Sequence, residues 1–230
     1  MPEKKVCVII PALNEQETLG SVIEEIPKEL LEGRGYRVDV VVVDNNSTDR
    51  TKWVAEERGA RVILEPVRGK GMAIRTAFQQ VNADFLFILD GDYTYPATYI
   101  PQMLELLERD HDVVLGCRLK GKMPRGAMSS LNRVGNHLIA LMANVLYGTR
   151  ISDPCTGYWG FRKDVVGRLK LDASGFDIEA NMLTEVARHR CRIAELPVDY
   201  RRRATPAKLN SLRDGFRIGK TLLRNRFRST

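Results

Sequence analysis

The sequence predicts an α/β fold, a mostly parallel, doubly wound sheet flanked by helices. Two observations carry that prediction. Short apolar runs and longer helical stretches alternate four times between Val6 and Arg109 with short connections, as parallel strands and their crossover helices do. Each polar cluster in this region, Asn14 with Glu15, Asp44 with Asp49 and Asp90 with Asp92, also directly follows an apolar run. In a parallel sheet all three fall at the carboxyl ends of strands, the edge at which open α/β sheets bind ligands.

Val6-Cys-Val-Ile-Ile10 is a first buried strand, expected to close at Pro11, and Pro11 to Glu15 is the loop after it. A helix is expected from Glu17 to Leu31, ended by Gly33 and Gly35. Tyr36 to Val43 is the second strand, and in the polar loop Asp44 to Asp49 either Ser47 or Thr48 would cap the next helix. That helix runs to Arg58 and stops at Gly59. Ala60 to Leu64 is the third strand, after which Arg68-Gly-Lys-Gly71 leads into a helix from Met72 to Val81. Phe85 to Leu89 is a continuous apolar run, too short for a helix and apolar on both faces, hence a strand buried on both sides. A helix near Tyr99–Arg109 follows it, then another buried strand from Val113 to Gly116, ending at Cys117-Arg118.

Beyond Val113 the alternation loosens. Leu119 to Gly126 is basic and glycine-rich and reads as a mobile loop. Leu131 to Tyr147 reads as one helix or two short ones, suited either to the core or to a surface that meets lipid or a partner. Asp153 to Arg162 is dense in glycine and aromatics, which suits a loop and strand against a ligand, or a plain turn with core aromatics. Phe176-Asp-Ile-Glu179 opens a helix to His189, where Asp177 and Glu179 answer the helix dipole. Arg192 to Pro197 is a last strand. Residues 1–210 are expected to form one domain and 211–230 a basic amphipathic helix. Leu212, Phe216, Leu222, Leu223 and Phe227 stand there among Arg and Lys, a pattern that reads as interfacial or as docking on a neighbour.

Composition narrows the function. Of the 230 residues, 43% are hydrophobic and 28% charged, the balance of a soluble globular domain. The net charge of +7 is local: residues 201–230 hold ten basic residues and one acidic, whereas the first 200 hold 26 basic and 28 acidic. A basic tail on a near-neutral body argues against nucleic acid and for a local anionic partner, a membrane surface or a phosphate group. Cys7, Cys117, Cys155 and Cys191 are widely spread without a Cys-x-x-Cys pair, as expected of reduced structural thiols. Met1-Pro-Glu-Lys-Lys runs straight into a strand without a signal-peptide pattern. No apolar stretch approaches the roughly 20 residues that span a bilayer; Leu138 to Tyr147 is too short and carries Asn144. The expected location is cytoplasmic, peripheral on the cytoplasmic face of a membrane.

The chemistry centres on Asp90-Gly-Asp92. Two hard oxygen donors at the end of a buried strand suit Mg²⁺ or Mn²⁺ bridging to phosphate oxygens, and Gly91, lacking a side chain, leaves room for a ligand near the backbone. The same tripeptide is also an ordinary turn.

Taken together, Pro11-Ala-Leu-Asn-Glu15, Val41-Val-Val-Asp-Asn-Asn-Ser-Thr-Asp49, Arg68-Gly-Lys-Gly71, Asp90-Gly-Asp92, Asp153-Pro-Cys-Thr-Gly157 and the Arg203…Lys208-Leu-Asn210 ending resemble family 2 glycosyltransferases of the GT-A fold. The chain is more narrowly similar to dolichyl- or polyprenyl-phosphate sugar transferases, including dolichol-phosphate mannose synthases, over nearly its whole length. The resemblance implies that Pro11, Leu13 and Glu15 contact the base and ribose of a nucleotide sugar, that Asp44 helps place uracil or guanine, and that Lys70 lies near the nucleotide. Asp90 and Asp92, with Gly91 between them, would hold the metal on the diphosphate. Arg118, Arg203 and Lys208 would hold donor and acceptor phosphates, with Arg202 a further candidate for the acceptor. Asp92, Arg118, Arg203 and Lys208 form the expected catalytic set. The family's Asp-Asp-Gly-Ser reads Asp44-Asn-Asn-Ser47 here, which leaves GDP- and UDP-sugars both open, and its Gly-Glu-Ser before the final Lys reads Thr205-Pro-Ala207.

The implied reaction is inverting transfer of one mannose, glucose or N-acetylglucosamine to dolichyl or polyprenyl phosphate. Such an acceptor is already an anion and needs held positive charge more than a base. A sugar-hydroxyl acceptor would need a carboxylate base, with Asp153 or Glu179 the first to test. Asp90-Gly-Asp-Tyr-Thr94 also fits the Asp-x-Asp-x-Thr motif of haloacid-dehalogenase-like phosphatases, but there it follows the first strand, and here three strand–helix units precede it. A membrane or nucleic-acid adaptor would explain the basic tail but not the row of strand-end carboxylates.

Overall fold

The computed structural model describes residues 3–206 and 208–228. Ala207, within the Thr205-Pro-Ala207 departure, lies outside them, as do Met1 and Pro2 of the expected start and the last two residues of 211–230.

In chain order the elements are β1 (Lys4–Ala12), α1 (Leu19–Glu25), α2 (Lys28–Glu32), β2 (Tyr36–Asp44), α3 (Thr51–Glu57), β3 (Arg61–Leu64), α4 (Lys70–Gln80), β4 (Phe85–Ile88), α5 (Ile100–Arg109), β5 (Val113–Cys117), α6 (Ser130–Tyr147), β6 (Trp159–Arg162), α7 (Lys163–Val166), α8 (Ile178–Arg188), β7 (Ile193–Pro197) and α9 (Ser211–Arg226). The strands form one seven-stranded sheet in the order β3-β2-β1-β4-β6-β5-β7. All neighbours are parallel except β6, which runs antiparallel between β4 and β5.

Period-two alternation divides the sheet between two cores. Val6, Val8 and Ile10 face Leu19, Val22, Ile100 and Leu104 on one side, while Cys7 and Ile9 face Ala73 and Ala77 of α4 on the other. Phe85 to Leu89 is buried throughout, as the apolar run predicts. A further cluster gathers α6, α8 and α9 around Trp159 and Phe161 of β6, whose rings stack with centroids 5.6 Å apart.

Three boundaries differ from expectation for physical reasons. The helix expected from Glu17 to Leu31 is two helices, α1 and α2, because Pro27 lies between them and cannot continue the ladder. β1 runs through Pro11 to Ala12 rather than closing at Pro11. Ile9 points its carbonyl at Leu89 and Ala12 its carbonyl at Asn45, so Pro11 faces the β4 side, where β4 has already ended at Ile88 and no donor is required. Neither Ser47 nor Thr48 caps α3; Asp49 does that work, accepting the Thr51 N–H at 2.9 Å.

Leu131–Tyr147 is a single helix capped by the Ser129 hydroxyl. α9 buries Ile218 and Leu222 in the α6/α8 cluster. The four cysteines are free; burial pushes the Cys7 and Cys155 thiols up to about 12 and that of Cys117 up to about 11, which suits structural thiols.

Candidate active site

The loops after β1 and β2 are laced together by hydrogen bonds without ion pairs, one of them from the Gln16 N–H to Asp49 Oδ2 at 3.2 Å. Asn14, in the left-handed region at φ 51°, donates its N–H to Ser47 Oγ at 3.0 Å and accepts the Thr48 N–H at Oδ1, 2.8 Å away. Glu15 donates its N–H to Thr51 Oγ1 at 2.8 Å. Asp44 is buried, its Oδ1 accepting the Ser47 N–H at 3.2 Å. The departure Asp44-Asn-Asn-Ser47 has a local account. Asn46 sits at φ 61°, a conformation that favours Gly and, among other residues, Asn. Buried Asn45 donates to the carbonyls of Glu65 and Val67 and accepts the Gly69 N–H at 2.6 Å.

That last bond orders the Arg68-Gly-Lys-Gly71 turn at the start of α4. Gly69, at φ 142°, and Gly71 lie so close to the 173–174 backbone that a Cβ on either would overlap a carbonyl oxygen. The turn delivers Lys70 into a nearly dry position, its Nζ 2.6 Å from Asp90 Oδ1 and 2.6 Å from Glu179 Oε1. Burial works against its charge, but Asp90 and Glu179 outweigh it and hold the ammonium above its ordinary range. Glu179 is therefore more than a helix-start residue. Burial pushes its carboxyl up, against the pull of Lys70.

Asp90 leaves β4 against the Asp153–Gly157 loop. Gly157 donates its N–H to Tyr95 Oη at 2.8 Å, and a Cβ there would overlap Asp90 Oδ2. Asp92 is buried; its Oδ1 accepts the Thr94 N–H at 3.0 Å, and its Oδ2 pairs with Arg203. Lys208 pairs with Glu15 Oε1 and donates to the Leu13 carbonyl. Burial raises the Glu15 carboxyl while Lys208 opposes that shift. Gly91 is itself buried, and the room its missing side chain leaves is taken by Ile10, 3.3 Å from where a Cβ would stand, and by Glu15. Its absent side chain thus serves protein packing, where the sequence suggested room for a ligand.

Asp153 and Arg118 are committed to each other. The guanidinium donates from Nε at 2.8 Å and Nη2 at 2.6 Å to a carboxylate with no exposed surface. Asn136 Nδ2 adds a third donor at 2.8 Å. Arg118 also lies 5.4 Å from the Tyr200 ring centre. The structure thus brings Glu15, Lys70, Asp90, Asp92, Arg203 and Lys208 to one edge, with Pro11 and Asp44 at the ends of β1 and β2 and Leu13 on the loop after β1. Arg202 is not among them; its guanidinium is exposed and bonds the Arg125 carbonyl.

Sequence reasoning missed Asn45 and Glu65. Buried Glu65 accepts the Val67 N–H at 2.8 Å and bonds Thr76. It directly follows β3, so the rule that found Asp44 and Asp90 applies to it as well.

Known proteins resemble this chain. Residues 7–169 match Glycosyl transferase family 2. Glycosyltransferase AglJ of Haloferax volcanii is 36% identical over 213 residues, which are 91% of this chain and 68% of that protein. A dolichyl-phosphate hexose transferase of the same organism is 34% identical over 220 residues, 94% of this chain and 92% of its own length. The chain spans only 53% of another such relative, the low-salt glycan biosynthesis hexosyltransferase Agl6. Glucosyl-3-phosphoglycerate synthase from Mycobacterium tuberculosis superimposes with a TM-score of 0.77 at 22% identity, over 99% of this chain and 81% of that one, a likeness of fold. The sheet is that of the GT-A fold, and the chain belongs to glycosyl transferase family 2 as a glycosyltransferase.

Proposed function

We propose that the protein transfers one hexose or N-acetylhexosamine from a GDP- or UDP-sugar to a dolichyl- or polyprenyl-type phosphate, with inversion. The observation that carries this reading is the engagement of both carboxylates that would serve a hydroxyl acceptor as base. Asp153 is fully buried under Arg118, and Glu179 is held by Lys70. A phosphate acceptor needs no base, only cations beside the donor, and Arg203 and Lys208 supply them. The dolichyl-phosphate hexose transferase matched over most of both chains supports the same acceptor class. The Asp-x-Asp-x-Thr phosphatase reading loses its ground, since the motif follows the fourth strand and its first Asp faces Lys70.

Asp90 and Asp92 fit a divalent cation that shares its coordination with a diphosphate. They are hard oxygen donors, and each already answers a positive charge, Lys70 or Arg203. Among the described residues no three acidic, His or Cys side chains converge as a self-sufficient metal cage, and Mg²⁺ or Mn²⁺ at such sites takes one or two carboxylates plus substrate phosphates. When bound, the ion would neutralise charge growing on the leaving nucleoside diphosphate. In the protein's own contribution, Pro11, Leu13, Glu15 and Asp44 line the side where the base and ribose would lie. Lys70 stands where the diphosphate would meet Asp90. An acceptor phosphate oxygen held by Arg203 and Lys208 would attack the anomeric carbon as its bond to the nucleoside diphosphate breaks. Arg118 acts here by fixing the Asp153–Gly157 loop against Asp90; Arg202, outside the group and bonded to the Arg125 carbonyl, is left out of the acceptor-phosphate set that the resemblance implied.

The membrane surface is proposed as the place of reaction. No helix among the described residues is long and apolar enough to cross a membrane. α6 exposes Leu131, Val134, Leu138, Leu141 and Val145, and α9 exposes Leu212, Phe216 and Leu223. Exposed Arg133, Arg213, Lys220, Arg224 and Arg226 accompany them, and the one acidic residue on either helix, Asp214, is buried. An apolar face accompanied by these cations, of which Arg224 is paired with Asp172, suits the cytoplasmic, anionic leaflet, at roughly 1 kcal/mol per unpaired Lys or Arg near it. Leu138→Ser with Leu141→Ser is expected to lose flotation with anionic liposomes; unchanged flotation would remove α6 from the interface.

The deciding experiment offers radiolabelled GDP-mannose, UDP-glucose and UDP-N-acetylglucosamine to dolichyl phosphate in detergent with Mg²⁺ or Mn²⁺, beside Asp92→Ala. Label entering the lipid phase from one donor, and lost in the variant, is the expected result. Metal-dependent donor binding without lipid product would turn the search to sugar hydroxyls.

A further inference from the structure

Residues 198–206 and 208–210, between β7 and α9, lie along the carboxyl edge of the sheet as a strap. Backbone bonds fix its start: Val198 N–H to Cys117 O at 3.1 Å, Tyr200 N–H to Lys122 O at 2.9 Å and Arg201 N–H to Thr94 O at 2.8 Å. Asn210, which caps α9 by accepting the Arg213 N–H at 3.1 Å, fixes its end. Between these points it reaches the edge through charge, Arg203 to Asp92 and Lys208 to Glu15.

Those pairs occupy oxygens that the donor requires. Thr94 takes Oδ1 of Asp92, and Arg203 takes Oδ2. A divalent cation on Asp92 would meet the Arg203 guanidinium at the same carboxylate, where the two positive charges oppose one another. Lys208 stands in the same relation to the Glu15 carboxylate and to any ribose hydroxyl that would bond it. Lys70 is built differently: it touches Asp90 and Glu179 together, so it keeps a buried counter-ion if Asp90 turns to a metal. Arg203 and Lys208 each pair with a single carboxylate, and both remain about 30% exposed at the side chain, 28% and 30%. Displaced, each becomes a cation without a counter-ion at the edge of the site, Lys208 still within reach of the Leu13 and Asn14 carbonyls.

We propose that the donor and its divalent cation displace Arg203 from Asp92 and Lys208 from Glu15, and that the released cations then form the anion site for the acceptor. The strap thereby couples the two substrates. While it is paired the acceptor's cations are neutralised, and donor binding uncovers them. By linkage an acceptor anion strengthens metal and donor binding by the same factor. The inference rests on the phosphate-acceptor reading above.

The first test is independent of the acceptor. Free Mn²⁺ is counted by its electron paramagnetic resonance signal against the full chain, without nucleotide and with saturating UDP or GDP. Arg203→Ala removes the competitor and is expected to tighten Mn²⁺ binding about two- to fivefold, the weight of a partly exposed ion pair, and Arg203→Lys to return it toward wild type. Unchanged or weaker Mn²⁺ binding in Arg203→Ala is the result of a merely structural strap and overturns the proposal.

The second test titrates geranyl phosphate, a soluble prenyl phosphate, by calorimetry. Wild type is expected to bind it at least about tenfold more tightly with Mn²⁺ and nucleotide than without, a coupling of ordinary allosteric size. Asp92→Asn, whose amide no longer pairs Arg203 as an ion but leaves Lys208 on Glu15, should bind it without Mn²⁺ more tightly than unloaded wild type and less tightly than loaded wild type. Equal affinity of wild type in both states overturns the coupling. No binding by either protein in any state, beside tightened Mn²⁺ binding in Arg203→Ala, overturns the phosphate acceptor and leaves only the exchange at Asp92.

Discussion

The carboxyl edge of the sheet is held together in two ways. Over β1 and β2 the loops are joined by neutral bonds, Asn14 to Ser47 and Thr48, and the Glu15 N–H to Thr51. Over β4, β5 and α8 carboxylates are answered by cations from distant parts of the chain: Asp90 and Glu179 by Lys70, Asp92 by Arg203, and Asp153 by Arg118. Bonds between hydroxyls, amides and backbone have no reason to open for an arriving ion. A salt bridge does, because a metal or a phosphate offers either partner a charge-assisted substitute. On the proposed function the base-and-ribose side is thus preformed, and the phosphate side is where charge would be exchanged. The Arg118–Asp153 pair is the exception on that side, buried too deeply to exchange.

The sharpest way to break this comparison is to remove one carboxylate from the ionic side. Asp92→Ala is expected to lower transfer by about 10²–10³, the scale of losing one preorganised electrostatic group, with the circular dichroism spectrum retained. Ser47→Ala, which deletes one neutral bond between the loops, should stay within about tenfold, since a single uncharged hydrogen bond contributes about 1 kcal/mol. Comparable losses in the two variants would mean that the preformed and exchanging sides are not distinct.

The exception gives the largest expected effect on stability. Arg118→Ala leaves Asp153, with no exposed surface, without its counter-ion. Breaking a buried pair in this way costs about 3–5 kcal/mol, to be read from the urea midpoint. Arg203→Ala, at the exposed strap, should cost no more than about 1 kcal/mol. If Arg118→Ala costs as little as Arg203→Ala, Arg118 is free to bind phosphate, as the sequence resemblance first implied.

The preformed side was the more legible in sequence. Strand ends marked by Asn14 and Asp44 follow from hydrophobic period alone, and Pro27 held the signal that splits α1 from α2. The ionic side was legible as a set of residues but not as pairs. Nothing in local spacing says that Lys70 meets Glu179, over a hundred positions away, or that Arg118 is consumed by Asp153. Those pairings depend on β6 entering antiparallel between β4 and β5. That insertion carries the Asp153–Gly157 loop to Asp90, and a long-range register of this kind leaves no periodic trace.

The smallest expected effect separates the two sides by sign. Asp49 belongs to the preformed side: burial works against its charge, but the Thr51 hydroxyl and surrounding backbone N–H groups prevail and hold its carboxyl below the usual range. Its folded value is depressed, so its contribution to stability is present above the ordinary carboxylate value and is lost as pH falls through the folded one. Glu15 belongs to the ionic side, and burial raises its carboxyl in spite of Lys208. Its folded state holds the proton more tightly, so its ionisation subtracts stability as pH rises past the unfolded value toward neutrality. Against wild type, the deficit of Asp49→Asn should therefore grow from pH 3 to pH 7, within the limit of about 1 kcal/mol for a capping group. Glu15→Gln should change in the opposite direction over the same interval, becoming relatively more stable toward pH 7. Chemical unfolding of both variants across that range measures the two slopes. Slopes of the same sign would mean that Lys208 outweighs burial at Glu15, and that the ionic side is as firmly set as the loops beside it.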